Sequence, residues 1–255
     1  GIETDLYPKL SKYVPNKPGL REIILRFHHG HMLAGHPGKN KLYYLIRKSF
    51  FWPKLIQSVT KWIRSCRCQN RKAYRPVNSI VPYSIRSEWP GQVLFLDFIH
   101  GLPVDEQGNS CILTVLDPFC DYPWTFACKG ENGLLVADRL MQVIFSMPYK
   151  VEKIVADRGN AFTSEIVKMI SRDFDIKHVI KSTAAPLGGI ENFNRFFTVM
   201  LTLLLTDPVK RMHWEKYAAA STYIWRCTPG ATGYTPFKLM YGVDPPMPIE
   251  WCETR

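Results

Sequence analysis

The chain has 255 residues, of which 46% are hydrophobic and 22% charged, and its formal net charge is +11. The hydrophobic share is ordinary for globular proteins and excludes disorder as the main state. The apolar run closest to a membrane span, 196–205, has about ten residues and is broken by Thr, well short of the ~18 that a membrane helix needs. We therefore expect no membrane partner.

The cysteines and the N-terminus bear on the compartment. Seven cysteines, an odd number, argue against a disulfide framework and for reduced thiols. No secretory signal is present at Gly1–Asp5, so we expect an intracellular chain.

Basic charge is concentrated in the first third of the chain. Residues 1–80 contain 16 Lys/Arg and 3 Asp/Glu, a net of +13, whereas residues 81–255 have a net of −2. Such asymmetry favours a polyanion partner, most often a nucleic acid, over a merely solvated surface.

The first predicted elements are helices in this basic segment. Residues 39–66 have helical apolar spacing that is interrupted at Phe50–Pro53, with Pro53 suited to the first turn of a second helix. Residues 71–90 lack periodicity and are rich in Pro, Ser, Asn and Arg, as in a linker. The predicted domains are 1–78, a linker at 79–90, and 91–255.

The pattern changes beyond the linker. Three apolar runs predict strands, with a polar turn at 104–109 between the first two. Helical and strand patterns then alternate. The predicted strands are Val93–Ile99, Ser110–Leu116, Tyr122–Ala127, Lys153–Val155 and Lys177–Ile180, and the predicted helices are Leu134–Phe145, Ser164–Asp173 and Ile190–Leu205. This order is typical of an α/β fold layered around a mixed sheet.

A group of histidines and cysteines flanks the predicted helices. Four histidines fall within nine residues, and two cysteines follow the helical stretch: His28, His29, His31, His36, Cys66 and Cys68. Two His and two closely spaced Cys suit a tetrahedral zinc site, which would supply folding free energy to a small basic domain. The alternative is surface histidines with unrelated thiols, and one residue between the cysteines is fewer than the usual two.

Three carboxylates occupy positions that call for an explanation. Asp97 lies in an apolar strand, Asp157 follows a second strand, and Glu191 begins the long helix. Burying a carboxylate is costly unless it binds a cation or accepts hydrogen bonds. Converging carboxylates could hold two divalent cations for phosphoryl transfer. Taken singly, each has a simpler explanation, such as an ion pair between Glu191 and Arg195.

Three stretches of the basic segment are distinctive: 27–38 (FHHGHMLAGHPG), 51–53 (FWP) and 65–69 (SCRCQ). They resemble the His-His-Cys-Cys domain of Gypsy-type LTR retrotransposon integrases, whose pattern reads roughly HDSPLAGHPG, YWP and SCxxCQ. The spacing of His29 and His36 matches the family best, with His28 as the alternative to His29. The resemblance implies a three-helix domain in which these two histidines, Cys66 and Cys68 bind one structural Zn²⁺.

Three later stretches carry the three carboxylates in the order found in the catalytic core of the same integrases: 96–103 (LDFIHGLP), 156–164 (ADRGNAFTS) and 190–195 (IENFNR). A fourth stretch, 233–242 (GYTPFKLMYG), has no carboxylate but also resembles these integrases. The resemblance spans about residues 20–247. It implies an RNase H-like catalytic core in which Asp97, Asp157 and Glu191 are catalytic and bind two Mg²⁺ or Mn²⁺ ions.

The sequence departs from the family pattern near the third carboxylate. Asp157 and Glu191 are separated by 33 residues, two fewer than is usual in the family. Small and apolar residues at 184–190 replace polar ones that could touch DNA, and the segment that would hold DNA is near neutral. We expect no third domain after Trp251 within the 255 residues.

Three functions compete on these grounds. The leading one is an integrase that trims retroelement DNA 3′ ends and joins them to target DNA. The second is a domesticated, catalytically inactive DNA-binding protein, which the altered loop, the cysteine spacing and the lack of a third domain favour. A ribonuclease H-like nuclease would leave the zinc domain unexplained. The resemblance implies DNA partners, a homo-oligomer, chromatin or host factors, and a nuclear location.

Overall fold

The computed structural model describes residues 11–31, 34–66, 68, 87–181, 188–205, 211–230 and 232–245. The chain divides into two compact units, Gly1–Arg75 and Pro76–Arg255. Most of the predicted linker, 79–86, lies outside the described residues.

The N-terminal unit is built from three helices and a short strand pair: α1 Leu20–Gly30, α2 Lys39–Arg47, α3 Leu55–Ser65, β1 Lys12–Tyr13 and β2 Phe50–Phe51. The two strands pair in parallel. One apolar cluster, which includes the fully buried Leu42, Ile46, Trp52 and Val59, holds the helices together.

The predicted helical stretch is divided where the sequence indicated, between α2 and α3. The second helix begins at Leu55, after Lys54 adopts a left-handed conformation with φ 63°. Pro53 therefore precedes the first turn instead of occupying it. Helix α1 was not expected from apolar spacing, since its second half includes Arg26, His28 and His29.

The C-terminal unit contains a five-stranded mixed sheet. Its strands are β3 Val93–Ile99, β4 Cys111–Asp117, β5 Tyr122–Cys128, β6 Lys153–Ala156 and β7 Lys177–Ile180, in the order β5-β4-β3-β6-β7. The β3–β4 and β4–β5 pairs are antiparallel, whereas β3–β6 and β6–β7 are parallel. The carboxyl ends of β3 and β6 therefore meet at one edge.

Helices cover both faces of this sheet. They are α4 Gly133–Ser146, α5 Glu165–Asp173, α6 Gly188–Leu204, α7 Trp214–Arg226 and α8 Pro236–Tyr241. Alternate residues of β3 face opposite ways, as the period of a strand requires. Leu94 and Leu96 pack with α4 and α5, whereas Val93 and Phe95 pack with α6 and α7. Layers on both faces of a mixed sheet confirm the predicted fold class.

Two helices of the C-terminal unit were also not expected from the sequence. Helix α7 buries Ser221 and Thr222, so its buried face does not stand out as apolar. Helix α8 has six residues and is capped by Thr235, whose hydroxyl accepts a hydrogen bond from the Lys238 N–H. In the described part of the chain, no helix is both long and apolar enough to span a membrane.

Candidate functional site

The N-terminal unit brings two histidines and two cysteines together. The ligand atoms of His29, His36, Cys66 and Cys68 all lie within 4.8 Å of one another. His29 lies in the last turn of α1, His36 precedes α2, and the cysteines follow α3. The cluster therefore connects one end of each of the three helices. Within the described residues, this is the one such group of three or more His, Cys, Asp or Glu side chains.

The distances within this cluster fit zinc. Cys66 Sγ lies 3.5 Å from His36 Nδ1, and Cys68 Sγ lies 3.5 Å from His29 Nε2. Tetrahedral zinc with ordinary Zn–N and Zn–S bonds separates N and S ligands by about 3.6 Å. The cluster therefore has the donor types and the spacing that a structural zinc ion requires.

Neighbouring backbone fixes the orientation of the histidine ligands. His29 Nδ1 lies 3.2 Å from the Pro37 carbonyl oxygen, so an Nδ1–H donated there leaves Nε2 to face Cys68. Gly35 and His36 both have positive φ, 69° and 44°. A left-handed conformation at His36 carries strain, and it occurs at a residue that belongs to the cluster.

His28, the alternative ligand, lies outside the cluster. Its ring packs edge-on against Phe27 and Phe50, and its Nδ1 hydrogen bonds to the Ile24 carbonyl at 2.9 Å. Burial lowers the pKa of His28, although this hydrogen bond opposes the shift. The arrangement suits a neutral histidine that packs within its own helix and in contact with β2.

In the C-terminal unit, Asp97 and Asp157 come from adjacent parallel strands. Phe95 pairs in register with Val155, and each aspartate lies two residues further along its strand direction. The two residues therefore reach the same level at the carboxyl edge of β3 and β6. Asp157 is exposed, and its Oδ1 accepts the Gly159 N–H at 2.8 Å. A Cβ added at Gly159 would meet that same oxygen at 3.0 Å.

Helix α6 supplies the third carboxylate. Glu191 is exposed in the first turn of α6. The helix begins close to the sheet: a Cβ added at Gly189 would lie only 3.2 Å from the Leu116 side chain of β4. Most of the shortened loop before it, 182–187, lies outside the described residues.

Asn194 contacts Asp97, although no role was assigned to it from the sequence. Its Nδ2 donates to Asp97 Oδ2 at 2.7 Å. Asn194 lies three residues after Glu191, and that spacing places both on one face of a helix. This spacing is the signal that could have identified Asn194.

The electrostatics link the three carboxylates. Burial raises the pKa of Asp97 to about 6, and the negative charges of Asp157 and Glu191 act in the same direction. Hydrogen bonds from the Phe98 N–H and the Asn194 amide oppose the rise. Asp157 and Glu191 therefore lie close enough to repel an ionised Asp97, and a cation at this edge would relieve the repulsion.

Two buried oxygen atoms near Asp97 have no hydrogen-bond partner among the described residues, Thr114 Oγ1 and Asn194 Oδ1. Thr114 pairs with Asp97 across β3 and β4, so both side chains face the same side of the sheet. Carboxylate and amide oxygens are the ligands that Mg²⁺ and Mn²⁺ prefer. The donor set therefore fits a hard divalent cation.

Each unit is similar to one known domain type. Residues 16–74 match the integrase zinc binding domain, and residues 88–186 match the integrase core domain. The second match includes Asp97 and Asp157 but ends before Glu191.

The relatives are polyproteins. The chain is 28% identical over 220 residues to the Gag-Pol polyprotein of Baboon endogenous virus (strain M7), covering 83% of the chain and 12% of the polyprotein. It is 26% identical over 251 residues to the Transposon Tf2-3 polyprotein of Schizosaccharomyces pombe (strain 972 / ATCC 24843), covering 93% of the chain and 18% of the polyprotein. The chain spans less than a fifth of the length of either relative.

A solved structure shares the fold of the C-terminal unit. The HTLV-2 integrase catalytic core domain, in complex with magnesium in its trimeric form, superposes with a TM-score of 0.52. It covers 61% of this chain and is matched over 100% of its own length at 18% identity. At that identity the likeness shows the fold, which is RNase H-like.

Proposed function

We propose that this protein, built from an integrase zinc-binding domain and an integrase core domain, is a retroelement integrase of the Gypsy type. It would be a polynucleotidyl transferase that trims the 3′ ends of retroelement DNA and joins them to target DNA. The observation that carries the proposal is geometric: Asp97 and Asp157 lie at the carboxyl ends of adjacent parallel strands, and Asn194, one turn after Glu191 in α6, donates a hydrogen bond to Asp97. The Gypsy type rests on the sequence motifs.

The three carboxylates are the groups that would hold Mg²⁺ or Mn²⁺. When bound, these ions activate an attacking oxygen and stabilise a leaving oxygen in an in-line phosphoryl transfer. The HTLV-2 core is described in complex with magnesium, which supports the same metal class here. His29, His36, Cys66 and Cys68 would hold a structural Zn²⁺.

The chain's own residues would orient this site before any substrate arrives. The Phe98 N–H holds Asp97 Oδ1 at 2.9 Å, and Asn194 holds Oδ2. The Gly159 N–H holds one oxygen of Asp157. Two of the carboxylates are therefore fixed by hydrogen bonds at the sheet edge, and preorganised ligands avoid a cost of reorganisation during reaction.

The partners follow from this function. Retroelement ends and target DNA are the substrates, and the basic segment at 1–80 is suited to their phosphates. A homo-oligomer is supported by the HTLV-2 cores, which are described in dimeric and trimeric forms. A chromosomal target would place the protein in the nucleus, where chromatin or host factors could bind it.

A strand-transfer assay tests the proposal. The protein is incubated with retroelement-end oligonucleotides and supercoiled target DNA in Mg²⁺ or Mn²⁺. We expect joined products from the wild type and none from Asp97→Asn. The matched control is Asp175→Asn, at an exposed carboxylate that pairs with Lys150, which should retain activity. Absence of products with every end sequence and both metals would reject the enzyme.

An inactive DNA-binding protein is the second candidate. The observation that favours it is the spacing of 33 residues between Asp157 and Glu191. Its signature would be DNA binding that is equal in the wild type and in Asp97→Asn, independent of added Mg²⁺ or Mn²⁺, and accompanied by no strand transfer.

A further inference from the structure

A groove of about 410 Å³ opens on the N-terminal unit, apart from the zinc cluster. It lies between the start of α2 and one face of α3, and its lining is Lys39, Ile56, Gln57, Thr60, Lys61 and Arg64. Ile56, Thr60 and Arg64 are spaced four residues apart, so they form a single stripe along α3. The groove is therefore a continuous feature of one helix face and the neighbouring helix start.

The positive charge of this groove is not balanced nearby. In the described part of the chain, Lys39, Lys61 and Arg64 have no ion pair or hydrogen bond through their side chains. Glu22, in α1, is the single acidic residue of the sequence between 11 and 68. By contrast, Arg47 donates to the Tyr43 hydroxyl at 2.9 Å, and Arg21 donates to the Val14 carbonyl at 3.2 Å.

The zinc cluster flanks both walls of the groove. His36 lies three residues before Lys39, and Cys66 lies two residues after Arg64. Between these points α2 and α3 pack through the buried apolar cluster of the unit. A metal ion in the cluster would hold the two walls at a fixed separation. The unpaired cations are therefore presented on a rigid surface.

The composition of the lining indicates the kind of ligand. Three cations beside Gln57 and Thr60 suit phosphate oxygens, and Ile56, which is 38% exposed, suits a sugar. No aromatic side chain lines the groove, whereas single-strand binders stack bases on aromatic rings. Lysine is depleted at the centre of protein–protein interfaces. The lining therefore favours a duplex backbone over a single strand or a protein.

We propose that this groove binds the sugar-phosphate backbone of double-stranded DNA, without reading its sequence. The proposal deepens the integrase function and rests on it for the choice of DNA as partner. Lys61 and Arg64 lie one helical turn apart, so their side chains contact neighbouring phosphates of one strand. Lys39 contacts the same strand from the start of α2.

The test compares two double variants of the full chain that remove equal charge. Lys61→Gln with Arg64→Gln removes two exposed cations from the groove. Arg47→Gln with Lys48→Gln, the control, removes two exposed cations from the end of α2, outside the groove. Binding to a fluorescent duplex is measured by anisotropy across a range of salt concentrations, and zinc content verifies that each variant is folded.

Loss of two phosphate contacts should reduce the slope of log affinity against log salt by about 2 and weaken binding by roughly 60-fold at ~0.1 M salt. The control variant should change the slope much less. Equal effects of the two variants would overturn the proposal, because binding would then depend on total charge alone. Equal loss of affinity for single-stranded DNA or for polyglutamate in the groove variant would also overturn it.

Failure of the integrase function gives a different result. If the wild type shows no strand transfer but the groove variant still loses duplex affinity, the groove proposal stands and the integrase proposal fails. If the wild type shows strand transfer but the groove variant binds duplex DNA as tightly as the control does, the integrase proposal stands and the groove proposal fails.

Discussion

The surroundings of Asp97 disfavour the ionised form of its carboxyl group. Burial raises its pKa from 3.8 to about 6, with Asp157 and Glu191 adding to the rise. A raised carboxyl pKa means that the folded protein binds a proton more tightly than the unfolded chain does. Folding is therefore favoured at low pH, and this contribution is lost as pH rises from about 4 to 6. A bound cation would restore it.

Asp97→Asn should therefore change the pH dependence of stability. In a divalent chelator, the free energy of unfolding of the wild type should fall between pH 4 and 6, by on the order of 2 kcal/mol. The variant should lack this fall and be the more stable protein at pH 7. Urea denaturation at pH 4.5 and pH 7 measures the difference, with Asp175→Asn as the control. Parallel pH profiles for the wild type and Asp97→Asn would contradict the assignment.

Thr114 leads to a second prediction at a single residue. It is fully buried, and its hydroxyl has no partner among the described residues. An unpaired buried hydroxyl costs about 1–3 kcal/mol, so Thr114→Val should raise the free energy of unfolding by about 1 kcal/mol. Thr222→Val should lower it by a similar amount, because the Thr222 hydroxyl pairs with Thr125 at 2.7 Å. Denaturant melts of the two variants should move in opposite directions.

At the scale of elements, the strands were predictable and several helices were not. Val93–Ile99 and Lys177–Ile180 match the structure. An apolar run bounded by polar residues marks Val93–Ile99 as a buried strand, whereas no residue of Lys177–Ile180 is buried. Helix α7 was missed because Ser221 and Thr222 lie on its buried face. Their hydroxyls are satisfied by the backbone and by Thr125, and these partners are known only from the fold.

The sites follow the same rule. The His29, His36, Cys66 and Cys68 cluster was predictable because its spacing is local to each pair of ligands. The contact of Asn194 with Asp97 was not, since the two residues are 97 positions apart. The pKa of Asp97 depends in turn on burial and on two charges from other elements, which sequence spacing alone does not provide.

The zinc cluster predicts how α1, α2 and α3 depend on one another. Binding of a structural zinc contributes about 10–16 kcal/mol in small zinc domains, so chelation should unfold the N-terminal unit and leave the sheet unit folded. His36→Ala should lose stoichiometric zinc. The control is His31→Ala, which alters an exposed histidine outside the cluster and should retain the metal. A unit that resists protease after chelation would show that zinc does not hold it.

At the scale of the whole molecule, the proposed function assigns DNA binding and DNA chemistry to different units. The unit with the carboxylates belongs to a segment with a net charge of −2, and residues 1–80 have a net charge of +13. Asp97 and Asp157 at the sheet edge, with Glu191 near enough to act on Asp97, repel a phosphate unless cations intervene. For the proposed integrase, most of the affinity for DNA would therefore come from the N-terminal segment, and the C-terminal unit would supply the chemistry.

Deleting residues 1–80 tests this division. Each phosphate contact contributes about 0.9 to the slope of log affinity against log salt, because binding releases condensed counterions. The remaining chain, with its own sheet and two apolar cores, should fold, bind duplex DNA weakly and show a nearly flat slope. A fragment of residues 1–78 with zinc should keep most of the steep slope of the full chain. An unchanged slope in the truncated protein would assign DNA binding to the C-terminal unit, and the −2 segment would then have to gather some of its 17 Lys/Arg into one local patch.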